Sequence, residues 1–200
     1  MTLGGVSRET AERLDIYSAL LAKWNARINL VSRASLADHR ARHFADSAQI
    51  HRVASHPVGH WADLGSGGGF PGLIVAILAC ETGSPAEVTL VEADARKSAF
   101  LSTVIRETGV HARVLTERIE SIAPLGADVV SARALADLAT LLGYAARHLA
   151  PGGEALFAKG ARWEAEIAQA RRAWQFDCAV VKSETEPGSV ILKVRGMSRV

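Results

Sequence analysis

The chain has 200 residues and a mass of 21.3 kDa, which is enough for one domain with a full hydrophobic core. Apolar residues make up 48% of it and charged residues 22%, and the net charge of +2 with pI ≈ 8.7 permits a nucleic-acid partner without requiring one. The 2 cysteines argue against a disulfide framework, and the longest apolar run, 73–80, is too short to span a bilayer. Because the first residues also lack a signal-peptide pattern, we expect a cytoplasmic protein without a membrane partner.

The N-terminal region is predicted to be helical. Apolar side chains recur at steps of three and four residues from Ser7 to about Ile28, and Ser35 is a suitable N-cap for a second helix over 36–52. Trp24 could stack on an unpaired base, but its place on the apolar stripe favours packing in the core. Polar and basic side chains at the end of the first helix are candidates for RNA binding, although asparagines there are also common helix caps. These candidates are Lys23, Asn25, Arg27 and Asn29.

Two histidines of the second helix raise the question of a metal site. His39 and His43 lie four residues apart, a spacing that can bind a metal, but no third ligand is evident nearby. Asp46 follows His43 by three positions, so we expect a hydrogen bond between the two. No metal is predicted.

The stretch ADLGSGGGFPG, 62–72, predicts a strand, a glycine loop and a helix that binds an anionic group at its N-terminus. Its glycines match the dinucleotide fingerprint literally, which leaves a nicotinamide or flavin cofactor open. Asp63 favours another ligand, because a carboxylate there would repel a pyrophosphate but would attract the ammonium of S-adenosylmethionine. A tight turn without a ligand is the third, less favoured interpretation.

Strands and helices then alternate. The apolar run 88–91 predicts a strand that ends at Glu92, about 20 residues past the loop. An acid at that position can accept hydrogen bonds from both ribose hydroxyls, whether the ligand is S-adenosylmethionine or a dinucleotide. Asp94 caps the next helix, and Arg96 and Lys97 in its first turn hint at an anionic substrate. A third strand, 112–116, leads to a segment expected beside the adenine. There, Ile119 would cover the ring and Glu120 would accept from its amino group, although Glu120 could also be an ordinary helix acid.

The last third of the chain completes the pattern. A strand over 127–131 runs into Arg133, whose position at the switch point of the sheet predicts a role in the site. A fifth strand, 154–158, precedes Lys159, and two final strands over 176–182 and 190–194 form a hairpin. The sequence predicts an α/β protein with a doubly wound, mostly parallel sheet and an antiparallel C-terminal hairpin. We divide it into a helical extension, 1–56, and a main domain, 57–200.

Several motifs in this order resemble the RsmG (GidB) family of 16S rRNA guanine-N7 methyltransferases. They are KWN at 23–25, HxxDS at 43–47, DLGSGGGFPG at 63–72, RK at 96–97, RIE at 118–120, RA at 133–134 and KG at 159–160. The resemblance implies a Rossmann-like class I methyltransferase fold, S-adenosylmethionine as methyl donor and a guanine of small-subunit rRNA as acceptor. It assigns donor binding to Gly65, Phe70, Ile119, Glu120 and Arg133. Relatives often have Asp-Ser where this chain has Glu92-Ala93, so Glu92 would reach the ribose with a longer arm.

The expected chemistry needs no general base, because guanine N7 carries a lone pair and no proton. We therefore assign no catalytic residue with certainty and expect Arg133 to position the reactants. Asp63 and Gly67 complete the predicted donor site, and Arg96, Lys97 and Lys159 would hold RNA phosphates. The expected substrate is 16S rRNA in the 30S subunit or an assembly intermediate, bound by a monomer. An NAD-dependent oxidoreductase, a non-catalytic RNA-binding module and a small-molecule methyltransferase remain alternatives.

Overall fold

The computed structural model describes residues 5–32 and 38–200. Its helices are α1 Arg8–Asn25, a π-helical turn Arg40–Phe44 that continues into α2 Ala45–Val53, α3 Gly72–Thr82, α4 Ala95–Thr108, α5 Leu138–His148 and α6 Trp163–Ala170. Its strands are β1 His60–Leu64, β2 Glu87–Val91, β3 Ala112–Leu115, β4 Ala127–Arg133, β5 Leu149–Lys159, β6 Trp174–Lys182 and β7 Val190–Arg199. No helix within these two ranges has both the length and the apolar character needed to cross a membrane.

The strands form one sheet in the order β3-β2-β1-β4-β5-β7-β6. Neighbouring strands from β3 to β5 pair in parallel, whereas β7 runs antiparallel between β5 and β6. The predicted α/β class and the antiparallel C-terminal hairpin are therefore confirmed. Because the dinucleotide-binding order is 3-2-1-4-5-6, the insertion of β7 argues against the oxidoreductase alternative.

The N-terminal helix packs against α3 and α4, and its stripe enters the core with Leu14, Tyr17 and Leu21. Ser7 caps it by accepting from the Thr10 amide. The described part of the second helix begins as a π-helical turn, while its predicted N-cap Ser35 lies outside the described residues. Since these helices share one apolar cluster with the sheet, the N-terminal extension is packed on it.

Helix α3 follows the glycine loop at the carboxyl edge of β1. It runs over Gly72–Thr82, two residues past the apolar run, and ends at Gly83 in the left-handed conformation. Its first two turns are fully buried between the sheet and the N-terminal helices. The amino end of this helix is therefore fixed beside the ends of β1, β2 and β4, where the predicted site residues lie.

Candidate active site

The glycine loop is held at both ends by backbone contacts. The amides of Gly65 and Ser66 both donate to the carbonyl oxygen of Val91 at the end of β2, at 2.9 and 3.0 Å. Gly65 has a φ of +67°, and a Cβ there would lie 2.6 Å from Leu135 Cδ1. Glycine is thus required where β1 turns into the loop.

Asp63 lies beneath this loop and is completely buried. Its Oδ1 accepts from the Ser131 hydroxyl at 2.7 Å, and its Oδ2 accepts from the Gly72 amide at 3.2 Å. The structure thereby corrects the predicted contact between Asp63 and a donor ammonium, because both carboxylate oxygens face protein donors. Asp63 instead connects β1, β4 and the first residue of α3, so it supports the loop from inside the protein.

Burial raises the pKa of Asp63 to about 6, against the hydrogen bonds from Ser131 and Gly72 that lower it. A carboxyl with a raised pKa binds a proton in the folded state at a pH where the unfolded chain has lost it. Stability from this group is therefore greatest below pH 4 and is lost as the pH rises to about 6, by up to about 3 kcal/mol. We expect urea denaturation to show this decrease in wild type and its absence in Asp63→Asn. Equal pH slopes for the two proteins would contradict the assignment.

The N-terminal helix contributes a second support that sequence analysis missed. The hydroxyl of Tyr17, which is fully buried, donates to the carbonyl oxygen of Gly68 in the loop. Burial raises the pKa of Tyr17 well above its ordinary value, so the hydroxyl stays protonated. A tyrosine on an otherwise apolar stripe was the available signal, since a buried phenol needs a hydrogen-bond partner.

The predicted ribose and adenine residues lie on the β2 and β3 side of the loop. Glu92, 8% exposed, follows β2, and its carboxylate accepts from the amides of Gly67 and Asp94, both at 2.8 Å. Ile119 is buried, whereas Glu120 is exposed and accepts from the Tyr144 hydroxyl at 2.6 Å, which lowers the pKa of Glu120. Glu92 is therefore already engaged with the glycine loop in this structure.

A cavity of about 350 Å³, here the loop cavity, opens between the glycine loop and the N-terminal helices. Arg133, at the end of β4, extends into it with its guanidinium 6.0 Å from the centre of the Phe70 ring. The next residue, Ala134, has a φ of +51°, an uncommon left-handed conformation for a residue with a side chain. The cavity is lined by Leu30, Val31, Ser32, His43, Ser66, Gly67, Gly68, Phe70, Lys97, Arg133 and Ala134.

The predicted hydrogen bond between His43 and Asp46 is wrong. The His43 Nδ1 atom contacts Arg133 Nη2 at 2.5 Å instead. Asp46 accepts from the hydroxyls of Ser183 and Thr185 in the loop between β6 and β7, and lies 3.9 Å from Arg133 Nη2. The two side chains thus lie near the same guanidinium but do not bond to each other.

A second cavity of about 320 Å³, here the strand-end cavity, lies on the other side of Arg133 at the ends of β4 and β5. Lys159 borders it, but its ammonium is buried between Glu166 Oε2, at 2.7 Å, and the carbonyl oxygen of Ala136, at 2.8 Å. This pairing corrects the prediction that Lys159 holds an RNA phosphate, because its charge is already matched. Lys159 instead fixes α6 against the end of β5.

The remaining RNA candidates are divided between two surfaces. Lys23, Arg27 and Arg96 surround a surface cavity whose floor includes Trp24, and Trp24 also packs on Phe100 in the core. Lys97 lines the loop cavity. The Oδ1 atom of Asn25 accepts from the amides of residues 30 and 31 and shapes the turn after α1. The exposed Asn29 lies in that turn.

Within residues 5–32 and 38–200, no group of three or more His, Cys, Asp or Glu side chains is arranged to hold a metal ion. The imidazole of His39 lies 2.7 Å from the Ser18 hydroxyl, and that of His43 contacts Arg133. The two histidines that share a helical spacing are therefore directed to different partners.

The sheet order, the glycine loop after β1 and the acid after β2 define a Rossmann-like methyltransferase fold. Similar solved structures include the ribosomal protein L11 methylase from Lactobacillus delbrueckii subsp. bulgaricus, with a TM-score of 0.58 and 18% identity over 78% of this chain and 79% of that chain. Another is M. jannaschii TYW2 in complex with AdoMet, with a TM-score of 0.57 and 15% identity over 88% of this chain and 80% of that chain.

Sequence comparison is more specific. The family model for rRNA small subunit methyltransferase G (GidB) matches residues 10–189. Ribosomal RNA small subunit methyltransferase G of Ruegeria pomeroyi is 55% identical over 196 residues, which cover 98% of this chain and 95% of that protein. The protein of the same name from Paracoccus denitrificans is 47% identical over 193 residues, with 96% and 97% covered. The chain belongs to the rRNA small subunit methyltransferase G family and is an rRNA methyltransferase.

Proposed function

We propose that this enzyme transfers the methyl group of S-adenosylmethionine to N7 of a guanine in 16S rRNA. The observation that carries the proposal is the chemistry of the loop cavity. Among the described residues that line it, two are cationic, Lys97 and Arg133, and none is a carboxylate. Its histidine, His43, has a pKa lowered to about 4 by burial and by nearby cations.

Such a cavity suits an acceptor that needs no deprotonation. An exocyclic amine loses a proton during methylation, whereas N7 attacks through a lone pair that is already available. The reaction then depends on alignment of N7 with the methyl group and the leaving sulfur. Arg133 would contribute by holding the reactants without donating to N7 itself, because such a hydrogen bond would occupy the attacking lone pair.

The donor would lie across the carboxyl ends of β1 and β2. Gly65, Gly67 and Phe70 provide the loop against which its amino acid end rests, and Asp63 acts indirectly by supporting that loop. Glu92 would accept from the ribose hydroxyls in exchange for one of its present amide contacts. Beyond it, Ile119 and Glu120 would border the adenine.

Ribosomal RNA would approach from the side of the N-terminal helices. Lys23, Arg27 and Arg96 surround one exposed cavity, and Lys97 continues this positive surface into the loop cavity. The segment 1–56 would act as an RNA-facing extension of the domain 57–200. We propose that a cytoplasmic monomer acts on 16S rRNA within the 30S subunit or an assembly intermediate.

The test is methyl transfer from labelled S-adenosylmethionine to 30S subunits that lack the modification, with naked 16S rRNA in parallel. Digestion should return the label as N7-methylguanine. Gly67→Asp should abolish transfer, because Gly67 lines the loop cavity and the new carboxylate would face Glu92 and the donor's own carboxylate.

The matched control is Gly67→Asn, which has the same shape and tolerates the φ of +55° about as well but carries no charge. It should retain more activity than the aspartate variant. Label on another guanine atom would overturn the N7 assignment. Donor binding without transfer to either RNA would favour the non-catalytic alternative.

A further inference from the structure

The contact between His43 and Arg133 fixes the tautomer of the imidazole. A guanidinium has only N–H donors, so Arg133 Nη2 must donate and His43 Nδ1 must accept. The single proton of a neutral imidazole is then carried by Nε2. His43 therefore presents an N–H donor on the side of its ring away from Nδ1.

That donor is buried and unused. His43 is 8% exposed, and its Nε2 atom has no hydrogen-bond partner among the described residues. The same is true of Nη1 of Arg133, which lines the loop cavity together with His43. Unpartnered buried donors on two residues that line one cavity cost stability unless a ligand supplies an acceptor.

The charge of the cavity identifies the acceptor. Arg133 and Lys97 line it with loop residues 66–68, and the described lining includes no acid. Asp46, on the strand-end side, lies 3.9 Å from Arg133 Nη2, so two cations face one acid and the cavity keeps a positive balance. An anionic oxygen is thus favoured over a neutral carbonyl. We propose that His43 Nε2–H binds the carboxylate of the donor's amino acid end, while Arg133 holds the imidazole through Nδ1 and adds positive charge to the cavity. This makes His43 a donor-binding residue, and it rests on the proposed function.

Neutral histidine is suited to this role. Burial, followed by the charges of Arg133 and Arg42 and by His39, lowers the pKa of His43 to about 4. The ring therefore keeps one proton through the neutral range and serves neither as a general base nor as a second cation. It adds a directed hydrogen bond to the carboxylate, while Lys97 and Arg133 supply the positive charge of the cavity.

Two substitutions separate the two faces of the ring. His43→Asn places an amide oxygen near the position of Nδ1, so Arg133 keeps its partner, but nothing replaces Nε2–H. His43→Gln places an amide N–H near the position of Nε2. Calorimetric titration with S-adenosylmethionine should show Kd raised about tenfold or more for the asparagine variant and within about threefold of wild type for the glutamine variant.

Decarboxylated S-adenosylmethionine is the matched ligand, because it lacks only the carboxylate. Wild type should bind it more weakly than the full donor, and the asparagine variant should bind it about as well as wild type does. In addition, nitrogen NMR of wild type should report the Nε2–H tautomer. Thermal unfolding of each variant checks that it is folded.

Three results would overturn the inference. In the first, the asparagine variant binds S-adenosylmethionine as tightly as wild type does. In the second, that variant loses equal affinity for S-adenosylmethionine and for its decarboxylated form. In the third, wild type binds the two ligands with equal affinity. Each leaves S-adenosylmethionine as donor, so the proposed function survives. Wild type that binds neither ligand would instead refute the proposed donor itself.

Discussion

Replacement of Arg133 by leucine is expected to lower kcat/KM for methyl transfer to 30S subunits at least about 100-fold, a loss typical of a removed charge-stabilising donor. Arg133 lies between the loop cavity and the strand-end cavity and contacts His43. Its removal should leave the fold intact, because burial of a guanidinium is costly and Asp46 keeps its hydroxyl donors. Single-turnover kinetics with saturating donor would measure the effect, and circular dichroism would verify folding.

Arg133→Lys separates charge from geometry. A lysine keeps the positive charge, but it lacks the planar guanidinium, which contacts His43 with one nitrogen and directs another donor into the cavity. We expect a loss of about tenfold, between wild type and the leucine variant. The exposed Arg172, which lies outside both cavities, is the matched control, and Arg172→Leu should be close to wild type. Near-normal turnover of Arg133→Leu would show that Arg133 has no part in alignment.

Much of the fold was predictable because its signals are local. The glycine loop, the helix stops at Gly83 and Gly109 and the Pro-Gly turn all depend on residues next to one another in sequence. The length of the final hairpin was not predictable in this way. Its strands extend to Trp174 and Arg199 by pairing with each other, past the apolar runs that mark their centres.

The site was harder to predict, because its contacts join distant segments. Tyr17 and Gly68 are 51 residues apart, and His43 and Arg133 are 90 apart. Each residue was recognisable as polar or as part of a motif. Their pairing depends on how the N-terminal helices pack over the carboxyl edge of the sheet, and no local spacing specifies that packing.

Charged residues were mispredicted for a related reason. Asp63 and Lys159 both lie at strand ends beside the site, where a free charge would be functional. Whether such a side chain faces the cavity or the interior depends on partners from other elements. Ser131 on β4 turns Asp63 inward, and Glu166 on α6 does the same for Lys159. Residue type and position alone do not distinguish these two outcomes.

The tightest packing in the site predicts a large effect of one substitution on stability. A Cβ at Gly72 would lie 2.8 Å from Asp63 Oδ2 and nearer still to Cδ2 of Leu90, both of which are fully buried. Gly72→Ala must therefore displace side chains of β1 and β2 or shift the start of α3. We expect the free energy of unfolding, measured by urea denaturation, to fall by about 2–3 kcal/mol. Donor affinity should fall with it, because the same shift breaks the hydrogen bond from the Gly72 amide to Asp63.

Gly143→Ala is the matched control, since Gly143 is also helical but a Cβ there would meet nothing nearer than Trp174, at 3.8 Å. In a helix interior this change should be neutral or stabilising by up to about 1 kcal/mol. If the free energy of unfolding falls for Gly72→Ala and does not fall for Gly143→Ala, the cost at Gly72 comes from the lack of space there and not from the loss of a glycine. If both variants are equally stable, the close approach of α3 to Asp63 does not hold the loop, and the indirect role assigned to Asp63 fails with it.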